Sequence, residues 1–578
     1  MTWGTSGKGG ASPALTGLIW TERNDLVPSS HARNKRSEEK TLPSSRTPKK
    51  SGKRQDYQDH DFISTSTRLL TQQTDRLRAV KRTAGGAAIA GVGDIIAAIL
   101  RYITNVVMTH LVTQSIYGIF IETYTVVLVI GYASKLGLDS ATVRFLSNYR
   151  AKGEKARAAG LIRFAMILSL VSGLLCAGLF YLSASMLAQV VYHRDSYILP
   201  FKEAALLIPL IGLQLVLASG LQALRAIKWK VYVDRLIQPA VTLLLILLFY
   251  WLGLRLEALI LATICGFVAS TFTGEWLLRR AERNFIQDTM PRYEPKHWMR
   301  FAFPMFFNSM IRNVLNSTDV LFLGAFVATS QVGLYGAADR VSYFVVAPLI
   351  ALNVIFSPII AEYHARNAHK PLATMFKVVT KWSLTLSWPV FLCCLVFHNA
   401  ILGVFGERYT AGGLVLITLA LGNLVDAGVG SVNYLLTMTG RPRIILINTV
   451  STVTVNITLA LLLIPRFGVI GAAAAAALTV MLLNGVGLME VYWIMKIHPY
   501  RRDMWKPLLA GTLTAIFGWM LLPIVHTGSG HLAILGALVL VVSFALVYMA
   551  LLAMLGFSEE DRIVFEMASA RLRKKGAI

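Results

Sequence analysis

Charge is what this sequence has least of. Only 15% of its 578 residues are Asp, Glu, Lys or Arg, against about 25% in soluble domains. That shortfall excludes a string of soluble domains of about 150 residues, which the length alone would suggest. Cysteine is equally scarce: Cys176, Cys265, Cys393 and Cys394 are all there are. Each lies inside an apolar run, where it reads as a small buried hydrophobe. A disulfide framework or a zinc site needs cysteines in polar loops at ligand spacing. No cofactor and no metal are implied.

What is present is hydrophobicity. Hydrophobic residues make up 55% of the chain, and its mean hydropathy is +0.57. From residue 85 onward, runs of about 20 apolar residues recur, the length needed to cross a roughly 30 Å hydrocarbon core. The fold class is therefore all-α: a polytopic membrane protein of about fourteen transmembrane helices. The spans are predicted at 85–111, 117–145, 160–184, 201–224, 232–252, 256–278, 300–327, 332–360, 379–404, 411–437, 444–464, 469–494, 506–525 and 532–556.

The net charge of +25 does not mark a nucleic-acid binder, which needs a basic face on a folded domain. The basic residues fall instead in the first 83 residues and in alternate loops. One set of loops holds Arg150, Lys152, Lys155 and Arg157; Arg225, Lys228, Lys230 and Arg235; and Arg279, Arg280, Arg283, Arg292 and Lys296. The same set continues with Arg366, Lys370 and Lys377, then Arg441 and Arg443, then Lys496, Arg501, Arg502 and Lys506. The opposite loops hold little beyond Arg194, Arg255, Arg408 and Arg466, and they are too short to house an enzyme domain. Lys and Arg keep loops in the cytoplasm. A multi-pass protein of the cytoplasmic (inner) membrane with both termini in the cytoplasm is therefore expected.

Residues 1–83 are polar and basic, and read as a disordered cytoplasmic tail. A weak internal repeat follows. The first two spans contain VVMTHLVTQSIYGIFIETYTVVLVIGYASKLG, and spans seven and eight contain VLFLGAFVATSQVGLYGAADRVSYFVVAPLIA. Both units start from the same side, so two six-helix lobes are expected, at 84–298 and 299–498. Two further helices occupy 499–556, and a basic cytoplasmic tail occupies 557–578.

Charges at bilayer depth cost about 2.5–3.5 kcal/mol on insertion scales, so they face a cavity or a partner. The first span carries Asp94, Arg101 and Asn105 on one helical face; span seven carries Asn308, Arg312, Asn316 and Asp319 on another. Span two adds Lys135, span eight Asp339 and Arg340, and span ten Asp426. Arg101, Asn105, Lys135, Asn308, Arg312, Asn316 and Arg340 are thus candidates for the wall of a hydrated cavity between the lobes. A cationic wall suits an anionic head group, and guanidinium forks suit phosphate oxygens. Asp94, Asp319 and Asp426 are candidates for coupling to a proton or sodium ion, and equally for pairing with those cations.

Three stretches bear a family resemblance. They are LGVFGERYTAGGLVLITLALGNLV (402–425), LLTMTGRPRIILINTVSTVTVNITLALLLIPRFGVIGAAAAAALT (435–479), and YGIF with GYASKLGLDSATVRFLSNYRAKGE (131–154). Over about residues 85–556 the chain resembles the polysaccharide transporter family, the O-antigen flippase-like group. That group shares a superfamily with multidrug and toxic-compound extrusion transporters and lipid II flippases. The resemblance implies flipping of a polyprenyl-pyrophosphate-linked glycan, an anionic lipid, by alternating access, for surface polysaccharide or lipopolysaccharide biosynthesis. The implied partners are that lipid, the membrane lipids and a glycan polymerase or ligase; no nucleic acid is implied. The amino-terminal extension departs from the family pattern. Two other functions stand beside it: a cation-coupled small-molecule antiporter of the multidrug type, and a membrane glycan polymerase or ligase. Excess cations argue against the first and short outer loops against the second, so a non-enzyme is expected.

Overall fold

The computed structural model describes residue 93, residues 95–521 apart from 287, 288, 367 and 440, and residues 531–556. The tails 1–83 and 557–578, and Asp94, lie outside the described residues.

Among the described residues the regular structure is entirely helical. The first part comprises α1 (Ile95–Leu111), α2 (Gln114–Ser134), α3 (Leu138–Lys152), α4 (Lys155–Met186) and α5 (Ile198–Ala204). It continues with α6 (Leu207–Ala223), α7 (Ile227–Val231), α8 (Ile237–Trp251) and α9 (Leu256–Ile286). The second part comprises α10 (Pro295–Phe326), α11 (Thr329–Ala365), α12 (His369–Gly403), α13 (Gly413–Val429), α14 (Val432–Met438) and α15 (Pro442–Met495). Last come α16 (Trp505–Leu521) and α17 (His531–Met554).

Nine described helical segments are long and apolar enough to span a membrane, and two shorter apolar helices, Ile95–Leu111 and Val539–Met554, join them. Helix α15 covers two predicted spans in one segment, broken where Gly468 adopts φ 57°. Many apolar side chains, among them Leu175, Leu182 and Trp251, stand more than half exposed. Hydrocarbon is their natural surrounding, since lipid tails are as apolar as leucine.

Two predicted spans are interrupted. The span read as 117–145 stops at Ser134, turns through Leu136 and Gly137 with positive φ, and restarts as α3. Gly137 is needed there: a Cβ would overlap the Ala302 carbonyl of α10. The span read as 411–437 breaks at Gly430 (φ 79°) between α13 and α14.

Helices α2, α3, α4, α6, α8 and α9 pack as one bundle and α10–α15 as another, while α2 also packs on α10 and α11. Helices α16 and α17 lie against α12. An ion cluster pins α16. Asp503, at the turn before it, pairs with Lys381 of α12 and with Arg501, both at 3.0 Å. Burial alone would raise the Asp503 carboxyl; Lys381 and Arg501 outweigh it and hold the group below the ordinary carboxylate range. A lowered folded-state pKa stabilises above the unfolded value, about 3.9, and that stabilisation is lost as pH falls through the folded value. Asp503→Asn is therefore expected to lower the unfolding midpoint of the purified protein by about 2–4 °C at neutral pH. The difference from the parent should shrink as pH falls below the unfolded value.

Candidate functional site

The two bundles meet most tightly where α2 and α11 begin, at the end of the molecule with few loop charges. Gly118 of α2 lies against the Thr329 carbonyl, and Gly333 of α11 lies against the Gln114 carbonyl, so that a Cβ on either would overlap backbone. One shift along the chain carries Gln114 to Thr329 and Gly118 to Gly333, so the two contacts exchange as across a local twofold axis.

Beside this seam Glu122 of α2 is wholly buried. Its Oε2 accepts from the Tyr197 hydroxyl, and its carboxylate occupies the notch left by Gly324 of α10. Arg194 reaches across and donates to the Val327 carbonyl at 2.9 Å. The bundles are therefore shut against each other at this end. Glu122 was missed as a candidate, although a carboxylate in the apolar stretch GIFIETYTVV is the same signal that marked the others.

Away from the seam lie the cations. Arg101 is exposed, on the side of α1 turned away from the exposed Ile96, Ile99 and Ile103. Groups in electrostatic range of it are Arg340 and Tyr343 of α11, Tyr124 of α2 and Asp234. Arg101 thus stays accessible with protein groups from several elements around it. Arg340 and Asp339 pair at 3.3 Å and both stay part-exposed. Asp339 does not reach Arg101, which makes no ion pair with any described residue.

The other candidates divide. Lys135 is buried and engaged, 2.6 Å from Asp139 across the α2–α3 turn. Asn105 clamps α1 to α2, accepting from the Tyr117 hydroxyl at 2.7 Å. Asn308, Arg312 and Asn316 form an exposed polar stripe on α10. It sits about 140° round the helix from Phe303 and Phe307, which are also exposed. Arg312 is not among the groups acting on Arg101. Asp319 accepts from Tyr335 at 3.1 Å and from Asn456 at 3.4 Å, and Asp426 is bonded by Asn484, so both carboxylates pin their helices to neighbours.

An apolar cavity of about 530 Å³ adjoins the cations. Tyr102 and Val341, the chain neighbours of Arg101 and Arg340, form part of its wall. Pro389 and Cys393 of α12 and Phe544, Ala545 and Tyr548 of α17 are also in its wall. Nothing in the sequence pattern points to this cavity, because it needs α17 to be laid along α12.

Residues 84–364 match the family model described as polysaccharide biosynthesis protein, and residues 304–462 match that of MatE. The fold is similar to a solved lipid II flippase MurJ in an inward closed conformation, with TM-score 0.63 and 15% identity. That likeness covers 81% of this chain and 98% of the other. The probable low-salt glycan biosynthesis flippase Agl15 of Haloferax volcanii is 30% identical over 162 residues, 28% of this chain and 34% of that protein. The chain is thus similar to the polysaccharide biosynthesis protein family over just under half of its length. A second relative from the same organism, the probable flippase AglR, is 28% identical over 188 residues, 32% of this chain and 39% of that protein. Both matches span little more than a third of the relative's length. In this chain the cations and the apolar cavity lie side by side, within a helical fold similar to that of the lipid II flippase.

Proposed function

We propose that this transporter flips lipid-linked oligosaccharide or polysaccharide precursors across the cytoplasmic membrane for surface polysaccharide biosynthesis. The observation that carries this reading is the junction of two chemistries. Arg101 and Arg340 supply cations, and the residues next to each, Tyr102 and Val341, line an apolar cavity. A cargo with an anionic head and a long apolar tail meets both at once. The phosphate oxygens of a polyprenyl pyrophosphate lie on the guanidinium groups, and part of the chain lies between α12 and α17.

Transport works by alternating access. Residues 84–298 and 299–498 act as the two lobes, with 499–556 attached to the second. The basic loops and both termini face the cytoplasm, and the Gly118–Gly333 seam closes the outer side. A glycan cannot enter hydrocarbon, so it crosses through the wet space along the exposed stripe of α10 while its lipid stays in the bilayer. No bond in the cargo is made or broken; a polymerase or ligase acts on it afterwards. The MatE match supports a small-molecule antiporter as the second reading, but Arg101 and Arg312, which pair with no described carboxylate, would repel a cationic drug.

Filling the apolar cavity tests the assignment. Ala545→Trp puts a large ring into its wall without touching a charge. Surface glycan in cells that depend on this gene should fall several-fold, at unchanged protein level. Full display would remove the cavity from the pathway.

A further inference from the structure

A second cavity, of about 420 Å³, opens at the basic end of the first bundle between α3, α6 and the join of α7 and α8. Its size falls in the range of small-molecule sites, roughly 300–1,000 Å³. Its polar wall comprises Asp139, Ser140 and Arg144 from α3, Gln222 from α6, and Lys230 and Asp234 from the α7–α8 join. Unlike the cation site, this wall is balanced. Asp139 pairs with Lys135 at 2.6 Å, and Asp234 lies 3.5 Å from Arg235 and 4.0 Å from Lys230. A free phosphate would favour surplus cations and an organic cation surplus carboxylates. Interleaved acceptors and donors of balanced charge suit a neutral polyhydroxyl ligand. One acceptor is also waiting: Asp139 Oδ1 is buried without a hydrogen-bond partner.

The position of Asp234 is built, not incidental. It sits in a π-helical turn, Tyr232–Leu236, and such turns are rare and gather at functional sites. The Val233 carbonyl in that turn accepts from Gln214 Nε2 of α6 at 2.9 Å and from Ser270 Oγ of α9 at 2.5 Å, both donors being buried. Gly274 of α9 leaves room for the Val233 side chain. Two neighbouring helices thus hold the turn, and with it the carboxylate that stands in electrostatic range of Arg101. The balanced cavity and the cation site therefore share a border at Asp234.

We propose that this cavity is a saccharide subsite. It holds the sugar residues of the cargo while the pyrophosphate lies on Arg101 and Arg340. Asp139 and Asp234 accept sugar hydroxyl protons, and Arg144, Lys230 and Gln222 donate. This inference rests on the flippase reading and adds to it a site for the sugars, which the cations alone do not supply.

Binding to the full-length protein in nanodiscs separates the two. The probes are polyprenyl pyrophosphate with no sugar and the same lipid carrying an oligosaccharide. Asp234→Asn and Gln222→Ala should each weaken binding of the glycosylated lipid about tenfold and leave the bare lipid unchanged. Gln214→Leu, which removes a support of the π-turn without lining the cavity, should move the glycosylated lipid in the same direction. Arg101→Ala should weaken both lipids. Gln222 is exposed, so its variant stays informative if Asp234→Asn fails to fold. Equal weakening of both lipids by Asp234→Asn, with no effect of Gln222→Ala, would overturn the subsite and leave Asp234 as a counter-charge to Arg101. No effect of either variant would overturn it too. A parent protein that binds neither lipid would overturn the flippase reading itself, and the subsite with it.

Discussion

Cells whose only copy of this protein carries Arg101→Ala or Arg340→Ala should lose most of their surface glycan, at unchanged protein level. Each guanidinium can make charge-assisted hydrogen bonds to phosphate oxygens, worth about 1.5–3 kcal/mol each. Losing one bond corresponds to roughly a ten- to hundredfold loss in cargo affinity. The two arginines come from different helices, α1 and α11, and are in electrostatic range of each other. Their mutual repulsion is relieved when an anion lies between them, so each substitution removes a contact and also removes the reason to bind an anion there. Lysine should restore part of the function at either position, because it keeps the charge but not the planar fork. Lys135→Ala should act through a different route. Its ammonium is already committed to Asp139, so it should disturb the α2–α3 turn and lower stability rather than change cargo affinity alone.

The seam gives the second large effect. A side chain at Gly118 or Gly333 meets backbone carbonyls of the other bundle, and backbone cannot rotate away as a flexible side chain does. Overpacking costs about 1–3 kcal/mol in a core that can adjust, and this contact leaves less room to adjust. Gly118→Val should therefore depopulate the sealed state by roughly tenfold or more. With the four native cysteines replaced, a cysteine at Asn316 should then react from the charge-poor side about ten times faster with a membrane-impermeant thiol reagent, and glycan display should fall. Gly178→Val is the control, because nothing lies within 4 Å of a Cβ there. Unchanged labelling in Gly118→Val would show that the seam is not the outer gate.

Much of this was legible in the sequence because bilayers impose blunt rules. An apolar run of the right length is a span, and among the described residues helices fall in every segment read as one, nine of them long and apolar enough to cross a membrane. A charge inside such a run needs water or a partner, which singled out Arg101 and Arg340. The same rule could not separate the two outcomes. Lys135 found Asp139 one turn away; Arg101 makes no ion pair with a described carboxylate, although Asp234 is in electrostatic range. Only packing distinguishes them. The breaks at Gly137 and Gly430 were hidden because glycine is common in spans and its meaning depends on what presses against it. The apolar cavity was illegible for a related reason. Its walls come from α1, α11, α12 and α17, and each wall residue reads alone as an ordinary lipid-facing or core side chain. The π-turn that sets Asp234 has no sequence signature, and its supports, Gln214 and Ser270, come from two other helices.

The most direct test is transport itself. Purified protein is reconstituted in liposomes holding a labelled polyprenyl-pyrophosphate-linked glycan, and glycan reaching the outer leaflet is trimmed by an added glycosidase. With the parent protein, the protected half should become accessible; with Arg101→Ala or Arg340→Ala it should stay protected, as in protein-free liposomes. Protection unchanged by the parent protein, or lost equally with the arginine variants, would contradict a flippase built around those two cations.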